Sequence, residues 1–355
     1  MHPVAVFLRP ILEQHDRKHF EIYCYSNYSE PNPIADFLGE RTDCWRDIAG
    51  MSDADFAVCV RDDEIDVLVD LSGHTARNRL PVFARHPAPV QVTWLGYLNT
   101  TGLPAMDYRL SDWHSDPAGS ETLNSEKLVR MQHSQWCYMP WHEASVEPVP
   151  HADRPGAIVF GSFNQDRKVS DDCLGAWAQI LRSVPAAELL VLDFHDPAKQ
   201  RNLTERIERL GLDPARIEIR GRESIARYFA SMSNVDVALD TFPYGGATTT
   251  LDTLWMGVPI VALRGDRGIS RSSYSILKSL GADDLIAETR EAYVELNVRV
   301  ALDRAWRERL RATLRDRLIQ SPLMDAKGFT VALESRYREM WDTWCKAQPR
   351  HPPGR

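Results

Sequence analysis

The sequence predicts an α/β protein whose parallel sheets are wound on both faces, in two or more compact domains. Three observations carry this. Apolar runs of strand length alternate with helical patterns along most of the chain, as a sheet covered by helices on both sides requires. A length of 355 residues exceeds what one compact domain usually holds. A polar stretch at 139–156 (MPWHEASVEPVPHADRPG) carries prolines at 140, 148, 150 and 155, and reads as a linker between two halves.

In the first half the predicted strands are Phe20–Ser26, Ile65–Ser72, Pro89–Gly96 and Tyr108–Asp112. The run IDVLVDLS at 65–72 is nearly continuous in apolar residues, the pattern of a strand buried on both faces. Helical spacing over Asp53–Val60 follows Ser52, a residue suited to cap a helix start. An α/β lobe usually opens on a buried strand. This chain instead enters a helical pattern, VAVFLRPILEQ, directly after Met1, His2 and Pro3, so the first strand of the N-terminal lobe is expected to be missing.

The second half is more regular. Strands are predicted at Ala157–Phe163, Glu188–Phe194, Ile217–Arg220, Val235–Asp240 and Pro259–Leu263. Helices are predicted between and after them, at Asp171–Arg182, Pro197–Leu210, Ser224–Met232, Thr249–Met256 and Arg271–Leu280. Helical periodicity continues over Arg290–Ile319, and a last helix covers about Lys327–Lys346. The tail QPRHPPGR reads as disordered, and no repeat of 20 to 50 residues is present.

Composition narrows the function. The net charge of -8 argues against a broad nucleic-acid surface, although local basic pockets stay compatible with it. No apolar run is long enough to span a membrane, and the start lacks the shape of a secretory signal. The six cysteines (24, 44, 59, 137, 173 and 345) never fall at C-x-x-C spacing, which points to free thiols in a reducing cytoplasm rather than to disulfides or zinc.

Open α/β sheets bind ligands beyond the carboxyl ends of their strands. After the strand at 157–163 come Gln165 and Lys168. The amide can bond a phosphate oxygen or a base edge, and the ammonium can neutralise a phosphate as a point charge; a merely solvated loop is the alternative. After the strand at 235–240 comes TFPYGGATTTLDTLWMGVP. Gly245 and Gly246 permit close backbone approach, and Thr248, Thr249 and Thr250 open a helix whose free N–H groups and dipole make an anion site. Asp252, one turn in, is placed to accept from a ribose hydroxyl. A simple N-capped helix after a glycine turn is the alternative there.

After the strand at 65–72 come Gly73 and His74, with Asp70 near the strand end. A histidine there suits acid–base work or substrate binding, or is bonded to backbone. Asp53-Ala54-Asp55 has the D-x-D form of a metal site but falls at a predicted helix start, where acidic residues are favoured anyway. His142-Glu143 lacks the second histidine of H-E-x-x-H. Neither a P-loop nor a G-x-G-x-x-G motif occurs. Trp341, Trp344 and Tyr337 read as packing residues.

The segments HPVAVFL (2–8), DVLVDLSGHTARNR (66–79), HPAPVQVTWLGYLNTTG (86–102), FGSFNQDRKVS (160–170), DVALDTFPYGGATTTLDTLWMGVPIV (236–261) and SPLMDAKGFT (321–330) together resemble the catalytic region of protein O-linked N-acetylglucosamine transferases and their SPINDLY-like relatives. The match runs over nearly the whole chain. It implies a GT-B architecture: a truncated acceptor-side lobe (1–138), the linker, a nucleotide-sugar lobe (157–322) and a C-terminal helix (323–348) packing back across both, before the tail at 349–355, with the active site in the cleft between the lobes. It implies an inverting, metal-independent transfer of N-acetylglucosamine from UDP-GlcNAc to Ser or Thr hydroxyls of proteins, with no cofactor and neither nucleic acid nor membrane as a partner. GDP-fucose or UDP-glucose as donor, an epimerase or synthase of the same architecture, and a non-catalytic nucleotide-sugar-binding protein are the alternatives.

By the same resemblance, Gln165, Lys168, Thr248, Thr249 and Asp252 hold the donor, and Tyr228 stands where animal members place a histidine against the uracil. Ala247 replaces another histidine of that pattern. Asp70, His74, His2 and Lys168 match active-site positions. The tetratricopeptide repeats and the strand that precede His2 in the family are absent from this sequence, which would leave His2 without a rigid sheet beneath it.

Overall fold

A computed structural model of the chain describes residues 4–28, 30, 33–141, 157–192, 196–221 and 223–348. His2, His142-Glu143, most of the predicted linker and the 349–355 tail lie outside the described residues. The chain forms two compact units, one of residues 1–139 together with 325–355, the other of 140–324. The C-terminal helix Ala326–Ala347 thus belongs to the first unit.

In the first unit the helix Val4–Leu12 comes first among the described residues. The strands that follow are β1 (Tyr23–Ser26), β2 (Cys44–Asp47), β3 (Val67–Asp70), β4 (Val90–Thr93), β5 (Tyr108–Asp112) and β6 (Lys127–Met131). They form a two-stranded sheet, β1-β2, and a separate four-stranded sheet in the order β3-β4-β5-β6, parallel throughout. The helix Asp53–Asp62 starts where the sequence places it, because the Ser52 hydroxyl accepts the Asp55 amide. It buries Phe56, Ala57 and Val60 against Leu68, Val82, Phe83 and Met106.

The C-terminal helix docks on this unit through both apolar and polar contacts. Phe329 stacks on Trp94 with ring centroids 5.8 Å apart. Buried Glu334 accepts from the Asp16 amide at 2.8 Å and pairs with the His15 Nδ1 at 2.9 Å. Trp341 and Trp344 stack on each other.

The strands of the second unit are β7 (Val159–Ser162), β8 (Glu188–Val191), β9 (Ile217–Ile219), β10 (Val237–Leu239), β11 (Ile260–Leu263) and β12 (Ile286–Ala287). Among the described residues they make one six-stranded sheet in the order β12-β11-β10-β7-β8-β9, with every pair parallel. Phe160, Leu189, Val237, Leu239 and Val261 bury its middle, and helices led by Trp177 and Tyr293 cover it. Ser170, Ser224 and Thr289 cap their helices by accepting amides three residues on.

Some expectations need correcting. The first strand begins at Tyr23 rather than Phe20. The helical stretch from 290 is two helices, Arg290–Leu302 and Arg304–Gln320, because Asp303 ends one and caps the other by accepting the Trp306 amide. Strands β2, β6 and β12 have no counterpart among the strands that the sequence predicts. All six cysteines are free thiols. No helix among the described residues is long and apolar enough to cross a membrane.

Candidate functional site

In the second unit β7 and β10 lie side by side, yet the chain runs outward from β7 through β8 and β9 before returning to β10 on the other flank. The direction of sheet growth therefore reverses between them. Loops leaving such a strand pair diverge and open a crevice beyond the carboxyl ends. The loop after β7 leads through Asn164 and Gln165 into a 3-10 turn, Asp166–Lys168. The loop after β10 leads through Asp240 and Gly245-Gly246 into the helix Thr248–Trp255.

These two loops are knitted together. The Lys168 ammonium donates to the Gly245 carbonyl at 2.8 Å, reaches toward Asn164 Oδ1 at 3.5 Å, and stands 4.1 Å over the Tyr244 ring. Asn164 donates from Nδ2 to Asp240 Oδ1 at 3.3 Å and accepts from the Thr249 hydroxyl at 2.9 Å. Asp240, almost fully buried, also accepts the Gly246 amide at 2.8 Å. The Lys168 side chain is half-buried as a whole, but its charged end is enclosed. That burial pushes its pKa down to about 8, against the opposing pull of Asp240. Burial likewise raises the Asp240 carboxyl, while bonds from Ser273 and Gly246 and the charge of Lys168 work the other way.

The start of the helix Thr248–Trp255 has no side-chain cap: Ala247 occupies the cap position and bonds none of the helix amides through its side chain. An N-capped helix after a glycine turn, the alternative that the sequence leaves open, is therefore not what forms. The hydroxyls nevertheless differ in what they can offer. Thr249 is engaged with Asn164 and Thr250 with Ser273, whereas Thr248 at the first position has no side-chain partner among the described residues. An anion here would meet backbone amides, the dipole, Thr248 and Lys168. Gln165 opens the 3-10 turn and caps nothing.

Tyr228 and Asp252 come together: the phenol donates to Asp252 Oδ2 at 3.1 Å, and the ring stands edge-on to Phe163 and Phe229. Asp252 is 4% exposed, so a ribose would meet it through a narrow opening and in competition with Tyr228.

The glycines of the turn are required by space. A Cβ on Gly246 would stand 2.5 Å from Thr249 Oγ1 and 2.6 Å from Thr250 Oγ1. We expect Gly246→Ala to cost about 1–3 kcal/mol of stability and to weaken nucleotide binding, as read by thermal melting and by titration with UDP. A variant with an unchanged melting temperature and unchanged affinity would show that the turn can relax.

The first unit gathers a second group. Asp70, at the end of β3, accepts the Ser72 amide at 3.0 Å, the Gly73 amide at 2.9 Å and the Thr93 hydroxyl at 2.8 Å. Burial raises its pKa, and those bonds pull it back. The carboxylate shapes the turn that carries His74. His74 is exposed, and its Nε2 lies 2.7 Å from the Thr101 carbonyl. The sequence motif Asp53-Ala54-Asp55 serves its helix start: Asp53 pairs with Arg79 at 2.9 Å and Asp55 bonds Ser52 at 2.7 Å.

Sequence reasoning missed Asn164 and Asp240 as organisers of the site. Their signal was weak, a single polar residue just after each of two buried strands, and only the adjacency of β7 and β10 gives it meaning.

The chain is 38% identical over 352 residues to a probable UDP-N-acetylglucosamine--peptide N-acetylglucosaminyltransferase SPINDLY of Petunia hybrida, covering 97% of this chain but 38% of that protein. The chain thus spans well under half the length of this curated relative. A solved structure of a mutant O-GlcNAc transferase from Thermobaculum terrenum matches with a TM-score of 0.90 at 39% identity, over 97% of this chain and 66% of that one. WaaG, a glycosyltransferase involved in lipopolysaccharide biosynthesis, shares the fold alone, with a TM-score of 0.50 at 13% identity over 92% of this chain and 94% of its own. The fold is that of the GT-B glycosyltransferases, built from two Rossmann-like units. The model of glycosyl transferase family 41 matches residues 1–143 and 151–333, and the chain belongs to that family.

Proposed function

We propose that the chain carries out the inverting transfer of N-acetylglucosamine from UDP-GlcNAc to Ser or Thr hydroxyls of proteins, without a metal ion. The observation that carries this is the enclosed Lys168 ammonium beside the Gly245-Gly246 turn, at the uncapped start of the helix Thr248–Trp255. Negative charge develops on the leaving diphosphate during such a transfer. A lysine held against a carbonyl and a row of helix amides supplies a positive field that need not reorganise as the charge appears. An ammonium has three protons; here one is given to Gly245 and a second lies toward Asn164 Oδ1, which leaves the third to meet a phosphate oxygen.

The name of the Petunia hybrida relative gives UDP-N-acetylglucosamine as donor and a peptide as acceptor for that protein, and the Thermobaculum terrenum relative is an O-GlcNAc transferase, which supports the same donor sugar here. Asp252 and Tyr228 would hold the ribose and base end, with Gln165 on the opposite loop. The free thiols fit a reducing compartment, and the cytoplasm is the proposed location.

Titrating UDP-GlcNAc, UDP-glucose and GDP-fucose against intrinsic protein fluorescence tests the donor. We expect UDP-GlcNAc to bind at least about tenfold more tightly than GDP-fucose, a difference of 1.4 kcal/mol. Equal or tighter binding of GDP-fucose would replace the donor, and mass-spectrometric detection of a free sugar product with no modified peptide would replace the acceptor.

A further inference from the structure

The loop at 99–102 in the first unit is held by a buried acid that nothing in the site described so far explains. Glu126, just before β6, is 4% exposed. Its carboxylate accepts the Thr101 amide at 2.6 Å, the Thr101 hydroxyl, and the Thr100 hydroxyl at 2.8 Å. Burial pushes its pKa up, but those bonds outweigh it and leave the value below the ordinary one, so the group is an anion at neutral pH. The two threonines are engaged further: the Leu103 amide donates to Thr101 Oγ1 at 3.2 Å and the Gly102 amide to Thr100 Oγ1 at 3.1 Å.

The consequence reaches His74. Glu126 clamps the Thr101 N–H and hydroxyl directly, and through the Thr100 hydroxyl it holds the Gly102 amide, so the peptides on both sides of Thr101 are fixed and the Thr101 carbonyl faces the imidazole at 2.7 Å. A carbonyl can only accept, so His74 Nε2 carries the proton and donates. The ring is steadied from the side by Tyr97, edge-on with centroids 5.3 Å apart. Behind it, Gly73 adopts φ +51° and packs on Tyr97 so closely that a Cβ would come within 2.4 Å of the Tyr97 Cβ. Nδ1 is left without a partner among the described residues. We infer that Glu126 is a positioning residue: through Thr101 it fixes the orientation and tautomer of His74, so that Nδ1 is presented as the ring's hydrogen-bond acceptor to substrate. This rests on the proposed transfer for its catalytic meaning, but not for its geometry.

The arrangement is more than a loop staple. A surface turn can be closed by its own backbone, whereas here a buried anion, costly to enclose, binds Thr100 and Thr101, the second of which presents its carbonyl to the histidine. Orientation errors of that kind at a reacting group cost one to two orders of magnitude in rate.

The test uses the full chain and the variants Glu126→Ala and Glu126→Gln, with ¹⁵N-histidine NMR assigned by His74→Gln. In the parent protein we expect a slowly exchanging ring proton on His74 Nε2. Glu126→Ala should lose it, lower kcat by about 10- to 100-fold, and leave the UDP affinity, which belongs to the other unit, within about twofold. Glu126→Gln, which keeps an acceptor for the Thr101 amide, should retain the ring proton and recover kcat to within about threefold of the parent. A His74 ring proton that persists in Glu126→Ala overturns the inference, as does a rate loss equal in both variants. Should the parent show no transfer at all, the proposed reaction fails, and the ring proton still decides the role of Glu126.

Discussion

Replacing Lys168 with alanine should abolish most turnover, lowering kcat/KM at least about 100-fold, or roughly 3 kcal/mol of transition-state stabilisation. The size follows from the setting of the charge. The ammonium end is enclosed, held at 2.8 Å from the Gly245 carbonyl, and placed at the mouth of a helix that has no capping side chain to neutralise its amides. In such a setting a charge is screened little by water, so its loss is felt in full. Lys168→Arg is not a safe substitute, because a planar fork does not fit a pocket shaped for a compact cation. Single-turnover transfer with UDP-GlcNAc and a peptide acceptor measures the effect; a fall of less than fivefold would leave the electrostatic scheme without its main support.

The depressed pKa gives this residue a pH signature. Its value in the folded chain is about 8, against 10.5 for a free lysine. As pH rises through about 8 the ligand-free protein loses the charge, so UDP affinity should fall between about pH 7 and pH 9.5. Stability changes in the opposite sense. Between 8 and 10.5 the unfolded chain holds a proton that the folded chain has released, so this one group adds to stability as pH climbs through that window. Calorimetric titration of UDP across that range, with Lys168→Ala as the flat control, separates this lysine from other titrations.

The second large effect is expected at Asp240. Its carboxylate receives the Gly246 amide and the Asn164 side-chain amide, and it is the negative charge that faces Lys168. Asp240→Ala leaves the Gly246 amide and the Asn164 side-chain amide unanswered and removes the charge opposite the ammonium. Buried donors left without an acceptor cost about 1–3 kcal/mol each, which for a unit of this size lowers the melting temperature by roughly 10 °C. Asp240→Asn keeps the acceptor for Gly246 and removes only the charge, so it should melt between the parent and the alanine variant. An alanine variant that melts within about 2 °C of the parent would mean that the turn is held by something else, such as the Tyr293 hydroxyl, which donates to the Asp240 carbonyl at 2.8 Å.

Much of this architecture is legible in the order of residues, and the parts that are not share a reason. Strands such as β7, β8, β10 and β11 are short apolar runs between helices with serine or threonine at their starts, and local chemistry announces them. Strand β2, with the sequence CWRD, has no residue fully buried, and β6, KLVRM, sits at a sheet edge with lysine and arginine among its side chains. Neither shows a buried strand's pattern because neither is one. Strand β12 is two residues long. At the site, Lys168, Thr248 and Asp252 follow strands and could be read from that alone. Asn164 and Asp240 lie 76 positions apart, and Glu126 lies 25 from the threonine it clamps. Their roles exist only once the sheet has been assembled, so spacing along the chain carries no trace of them.

The membership of the last helix in the first unit has a consequence for synthesis. The second unit is continuous, 140–324, and all of its strands leave the ribosome before the helix Ala326–Ala347 does. It can therefore mature while the chain is still growing, whereas its neighbour waits for Phe329 to reach Trp94 and for Glu334 to reach His15. Until then the surface around Trp94 stands open, making the nascent first half the span most in need of a chaperone's shelter.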